Sequence, residues 1–219
     1  STHTGLHANM FPLAFGLVPD QWVSKVADYV VGRGMACSVY GAQFLIDGLY
    51  RAGRASDSIS LLTSRSDRSW GHMVFDVGTT IALEAWDTRY KPNQDWNHAW
   101  GAAPANLIPR WLVGVWPTSP GAETLQIAPQ PADLSFFKAN VPTIRGAVDV
   151  HFRQTGTTAN LSVTLPGNTS ATVVLPRPPE NTRITAVRIG DKRTKLAAGY
   201  EIIGGQTTHF SWKWQETLR

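Results

Sequence analysis

The sequence predicts an α+β chain in two parts, helices first and an antiparallel β-sandwich after them, on three observations. Apolar residues recur at helical spacing up to about residue 116 and at every second position from there on. Gly, Pro and Asn cut the second part into short alternating runs. PTSPGAE at 117–123 is a Pro/Gly-rich joint, which predicts a helical domain over 1–118 and a strand domain over 119–219.

The first predicted helix lies in PDQWVSKVADYVVGRG. Pro19 and Asp20 supply start signals, Trp22, Val23, Val26, Ala27, Val30 and Val31 form its apolar face, and Gly32 and Gly34 end it. CSVYGAQFLIDGLYRAG repeats the pattern through Tyr40, Phe44, Leu45, Leu49 and Tyr50, and ASDSISLLTS makes a shorter helix. A further helix is predicted from Trp96 to Val115, with Trp100, Ala103, Leu107, Trp111 and Val115 in register. Pro104 and Pro109 each delete a backbone donor there and should kink it. Leu125 and Ile127 then open the alternating runs, followed by GAVDVHFRQ, ANLSVTLP, ATVVLP, RITAVRIG, YEIIGG and THFSWKWQ. Phe210, Trp212 and Trp214 in the last run alternate at strand spacing and are expected to pack against the helices rather than serve as a sugar platform.

With 219 residues and 42% hydrophobic content the chain can bury one or two cores. Its net charge of +4 is uneven: residues 131–219 hold eleven Lys/Arg against six Asp/Glu. That excess is scattered and no nucleic-acid motif accompanies it, so no nucleic-acid partner is expected. Cys37 is the single cysteine, which excludes an intrachain disulfide and a cysteine-built zinc site and reads as a buried small side chain. No apolar run approaches the length of a bilayer span, and the first residues lack signal-peptide character, so no membrane partner is expected.

The stretch from Trp70 to Val115 crowds carboxylates, tryptophans, histidines and glycines together, the composition of a sugar-binding cleft. Glu84, the only glutamate in the first 122 residues, follows a Gly-Thr-Thr turn beside Trp86 and Asp87. It is either a base, its pKa raised by aromatic surroundings, or a surface carboxylate in a turn. His98 either bonds a sugar hydroxyl or fastens the loop. Of Trp70, Trp86, Trp96 and Trp100, about two should be core and the rest free to stack on a sugar. Asp87, Arg89, Asp95 and Asn97 can satisfy hydroxyls or one another, and His7, Asn9, Asp67 and Arg68 read as loop-fixing groups. His72 and His98 lack metal-ligand spacing, and neither a metal nor a cofactor is expected.

HANMFPLAFGLVP, GAQFLIDGLYRAG, SWGHM, GTTIALEAWD and DWNHAWGAAPANLIPRWLVGV together resemble the carboxyl-terminal part of the α-L-rhamnosidases, family 78 of the glycoside hydrolases. IAPQP and the strands after it resemble the sandwich that closes those enzymes. The resemblance implies a partial (α/α)6 barrel of about five helices here, with Glu84 as the general base of an inverting hydrolase. It further implies that Asn97 and His98 hold the sugar, that Trp86 and Trp70 line its apolar face, and that Asp87 contributes to binding. The substrate implied is a rhamnose-containing oligosaccharide or glycoside, and the residence secreted or periplasmic. Leu83 stands where the family usually has an aromatic, and nothing before residue 84 resembles the family's acidic segment with its general acid. The chain therefore reads as a piece whose barrel is completed by an amino-terminal part, and a non-catalytic carbohydrate-binding or scaffolding protein is the alternative.

Overall fold

The computed structural model describes residues 5–217. Two compact units divide the chain, Ser1–Leu107 and Ile108–Arg219. The first contains α1 (His7–Ala14), α2 (Asp20–Arg33), α3 (Val39–Arg51), α4 (Ala55–Leu62), α5 (Trp70–Phe75) and α6 (Ala103–Leu107).

α3 is the centre of this unit. Leu45, Ile46 and Leu49 are fully buried and Tyr50 nearly so, because α1, α2, α4 and α6 all pack on it. Ser38 caps it by accepting the Gly41 N–H (3.1 Å). Gly48 sets how near α1 can come: a Cβ there would lie 3.0 Å from the Ala14 nitrogen and 3.3 Å from Leu13. α2 begins after Pro19 and ends at Gly34, whose φ of +54° suits a residue without a Cβ. Its buried face is narrower than the sequence predicts. Ala27 and Val30 are buried, but Trp22 is 50% exposed with the Lys25 ammonium over its ring. Cys37 is buried as expected, and that burial pushes its thiol up to about 12, which leaves it unreactive.

The single helix expected from Trp96 to Val115 does not form. A 3-10 turn at Ala99–Ala102, α6, and a π turn at Ile108–Leu112 replace it, and Val115 already belongs to a strand. The two prolines account for the breakage. Neither can donate to the ladder, and the Val113 N–H reaches back five residues to the Ile108 carbonyl (2.9 Å), across Pro109. α5 was not expected, because only six residues carry it. Ser69 starts it by accepting the His72 N–H (3.0 Å).

The second unit holds β1 (Val115–Pro117), β2 (Thr124–Ile127), β3 (Phe136–Thr143), β4 (Gly146–Thr155), β5 (Thr158–Thr164), β6 (Ser170–Val173), β7 (Thr182–Ile189), β8 (Lys192–Arg193), β9 (Tyr200–Ile203) and β10 (Thr207–Glu216). They form a four-stranded sheet, β1-β2-β6-β9, and a six-stranded one, β3-β4-β5-β10-β7-β8. The antiparallel pairing expected of the sandwich holds throughout except between β2 and β6, which run parallel. The chain leaves β2, builds β3, β4 and β5 in the other sheet, and returns beside β2, a connection long enough for a parallel pair.

Alternate residues of both sheets share one core, Leu125, Ile127 and Val173 with Val150, Phe152 and Leu161. Phe210, Trp212 and Trp214 belong to it, so they pack within the sandwich and are not the expected surface against the helices. Strand alternation shows that one face is buried, but not by what.

Candidate functional site

The site lies in the irregular segment 76–98, which follows α5. Two arms of that segment run side by side. His98 donates its N–H to the Ala82 carbonyl (2.9 Å), Glu84 donates to the Asp95 carbonyl (3.1 Å), and Ala85 donates to Gln94 Oε1 (3.0 Å). Gly101 lets the following turn press on the first arm, since a Cβ there would stand 2.4 Å from the Leu83 carbonyl oxygen. Backbone bonds thus hold Glu84 in place while the tip, 87–93, turns back through the Tyr90 N–H to the Asp87 carbonyl (3.1 Å).

The Glu84 carboxylate is gripped on both oxygens. The Lys91 ammonium pairs with Oε1, and the Asp95 N–H donates to Oε2 (3.0 Å). Lys91 foremost, and the Asp95 amide after it, hold this carboxyl below the usual glutamate range. The raised pKa expected from aromatic surroundings is therefore corrected: a cation at contact distance outweighs desolvation, and the side chain is ionised at neutral pH. His98 sits beside it, with Nδ1 3.3 Å from Asp95 Oδ2 and its ring centroid 4.1 Å from that of Trp100. Ligand atoms of Glu84, Asp95 and His98 all lie within 4.8 Å of one another. That spacing could suit a cation, but Lys91 already supplies positive charge to Glu84, and a backbone N–H takes its other oxygen.

Sequence-expected residues separate into two groups. Glu84, Asp95 and His98 are brought to one rim, and Asn97, beside His98 in the chain, is exposed. Trp86 is not there as a wall. It is 3% exposed, donates its indole N–H to the Cys37 carbonyl (2.8 Å), and stands edge-on to Trp70 at 5.1 Å. It is thus the one core residue of the four tryptophans, where about two were expected. Trp70 remains half-buried and donates to the Gly101 carbonyl (2.7 Å). With Thr79, Thr80 and Gly101 it lines a cavity of about 300 Å³ in which neither Glu84 nor His98 takes part. The exposed aromatic surface next to Glu84 comes instead from Trp100, which donates to the Glu84 carbonyl (3.3 Å), and from Tyr40, 5.2 Å from it on α3.

Asp87 is likewise not a free ligand for hydroxyls. Its Oδ2 lies 2.8 Å from His72 Nε2, and Oδ1 accepts from the Arg89 amide (3.1 Å) and the Thr88 hydroxyl (3.2 Å). His72 first, then the Arg89 amide, pull the Asp87 carboxyl down to about 2. The other ring nitrogen of His72 faces Asp76 at 3.1 Å, and the two carboxylates raise the imidazole, Asp87 more than Asp76. This buried imidazole, held between two carboxylates, fastens the tip of the segment to α5. Asp67 pairs with Arg89 (3.1 Å), Arg68 lies over Tyr90, and Asn9 donates to the Gly5 carbonyl (2.9 Å), so these three fix loops as expected. Sequence reasoning missed Lys91, His72 and Tyr40. No periodicity marks a loop lysine seven residues from its partner, whereas His72 one helical turn from Asp76 was a legible pair.

Comparison with known proteins gives concordant matches. Residues 1–112 match the family described as the bacterial alpha-L-rhamnosidase 6 hairpin glycosidase domain, and residues 114–189 match the bacterial alpha-L-rhamnosidase C-terminal domain. An alpha-L-rhamnosidase of Alteromonas sp. (strain LOR) is 29% identical over 189 residues, which cover 77% of this chain and 20% of that protein. The alpha-L-rhamnosidase structure from Dictyoglumus thermophilum superposes with a TM-score of 0.77 at 21% identity, over 95% of this chain and 25% of that one. The Streptomyces avermitilis alpha-L-rhamnosidase complexed with L-rhamnose gives 0.70 at 24%, over 95% and 21%. These two likenesses establish a shared fold, and the chain spans only a fifth to a quarter of the length of each relative.

Proposed function

The chain belongs to the α-L-rhamnosidase family, and from that premise we propose that its helical unit carries the general base of an inverting α-L-rhamnoside hydrolase, Glu84. The observation that carries this reading is a carboxylate kept ionised by Lys91 and the Asp95 amide, 12% exposed, on a rim with His98 and an aromatic surface. In the proposed reaction Glu84 takes a proton from water as the water oxygen bonds to the anomeric carbon. The bond to the leaving oxygen breaks on the opposite face, where a second carboxyl donates its proton. His98 and Asn97 bond hydroxyls of the sugar. Trp100 offers its ring face to the C–H surface, while Trp70, with Trp86 edge-on to it, lines a separate cavity.

Inverting hydrolysis needs the two carboxyls about 6.5–9.5 Å apart, and among the described residues no second acid on the Glu84 rim fits that part. Asp95 stands too near, a carboxylate oxygen of it lying within 4.8 Å of one of Glu84, and Asp87 is engaged by His72. We therefore read the chain as one portion of an enzyme whose remaining helices bring the acid. Exposed Phe15, Trp22, Tyr40 and Trp96 on the helical unit support that reading, since such apolar surface calls for a cover. Residues 1–219 by themselves are expected to hydrolyse nitrophenyl α-L-rhamnoside no faster than buffer. A clear rate from them in a colorimetric assay rejects the missing acid.

Lys91 gives the proposal a pH signature. Activity that needs ionised Glu84 is present above its pKa and lost as pH falls through it. Lys91 lowers that pKa, so Lys91→Met in the complete enzyme should move the acidic limb of kcat to higher pH. A limb that stays in place means that Glu84 is not the group titrating there.

A further inference from the structure

The outward face of the six-stranded sheet carries a groove of about 450 Å³ that the proposed hydrolysis does not use. Register places its walls in two rows. Lys138 faces His151, His151 faces Ser162, and Ser162 faces His209 across β3, β4, β5 and β10. One pleat along, Phe136, Arg153, Asn160 and Ser211 repeat the arrangement on the same strands. With strands about 4.8 Å apart, each row spans roughly 14 Å, and Lys138 and Arg153 are diagonal neighbours at about 8 Å.

The chemistry of these walls is one-sided. Among the described residues, no aspartate or glutamate lines the groove. Asp149, which follows Lys138 and His151 into the next row, is engaged by the Asn140 amide at 2.7 Å. Phe136 is 55% exposed, with the Arg153 guanidinium 5.3 Å above its ring, which joins a flat apolar face to a cation. Asn160, Ser162 and Ser211 add amide and hydroxyl groups that an isolated anion does not need but ring hydroxyls do.

We propose that this groove binds an acidic oligosaccharide, its carboxylates on Lys138 and Arg153 and a pyranose face on Phe136. Charge complementarity commits it to an anionic sugar: the six-stranded sheet and its surroundings belong to the part of the chain with eleven basic residues against six acidic. The proposal does not depend on Glu84.

Calorimetric titration of the whole chain with trigalacturonate at low ionic strength tests it, with galactotriose and inorganic phosphate as comparison probes. Trigalacturonate should bind, and galactotriose at least about tenfold more weakly, as should trigalacturonate with the Lys138→Ala/Arg153→Ala variant. Phe136→Ala should weaken the sugar acid and leave phosphate unaffected, and Glu84→Gln should change nothing here. Absence of trigalacturonate binding, equal binding by the double variant, or phosphate binding as tightly as trigalacturonate overturns the proposal.

Discussion

Glu84→Gln in the complete enzyme is expected to lower kcat on nitrophenyl α-L-rhamnoside by about 10²- to 10⁴-fold, the usual contribution of a positioned general base. Rhamnose affinity should change little. The substitution keeps the side chain's size and its Oε contact with the Asp95 amide, and removes only the ability to take a proton. Loss of the negative charge also frees Lys91 from its ion pair, so the variant should be read beside Lys91→Met. If Glu84 merely orients the segment, Gln keeps the orienting bond to Asp95 and turnover survives. Stopped turnover with unimpaired binding of L-rhamnose by calorimetry distinguishes a base from a positioning group. Turnover within threefold of the unsubstituted enzyme would reject Glu84 as the base. Binding of rhamnose with no hydrolysis by the unsubstituted complete protein would instead support a non-catalytic carbohydrate-binding role.

α2, α3, α4 and most strands were legible because each rests on a pattern of period 3.6 or 2, as in α2 between Pro19 and Gly34. Where the structure departs, the deciding interaction is tertiary or lies in the backbone ladder. Pro104 and Pro109 keep apolar residues at helical spacing from Trp100 to Trp111 yet cannot donate, so the periodicity survives and the helix does not. β3 lies outside the predicted runs although Phe137, Ala139 and Val141 alternate with Lys138, Asn140 and Pro142, because only Val141 is buried and Pro142 reads as a strand breaker. For the site, residue type identified Glu84 and His98, but the ranking of the tryptophans depended on where they fold. Trp86 stands next to Asp87 in sequence and spends its indole on Cys37, forty-nine positions away, which no local pattern encodes. The sign of the Glu84 shift was illegible for the same reason: it depends on Lys91 arriving at contact distance through a loop turn.

Trp86→Ala should destabilise the helical unit by about 3–5 kcal/mol, the range for truncating a buried large aromatic. Against a typical total of about 5–15 kcal/mol, that is a severe loss. Two terms contribute. The indole is almost wholly buried against Trp70, so its removal leaves a void, and the Cys37 carbonyl loses the N–H that satisfies it. Trp86→Phe separates them, since it restores most of the ring volume without a donor and should cost about 1–3 kcal/mol. Urea unfolding followed by circular dichroism at a helix-sensitive wavelength measures both. A loss below 1 kcal/mol in Trp86→Ala would mean that the side chain is not the anchor its burial indicates. The same anchor holds the 82–85 arm on which Glu84 sits two residues away, and Trp70 leans on it from α5. Trp86→Ala should accordingly lower kcat in the complete enzyme although its side chain reaches no substrate, and Trp86→Phe should recover more of kcat than of stability, because a ring behind Trp70 preserves position even where the hydrogen bond is gone.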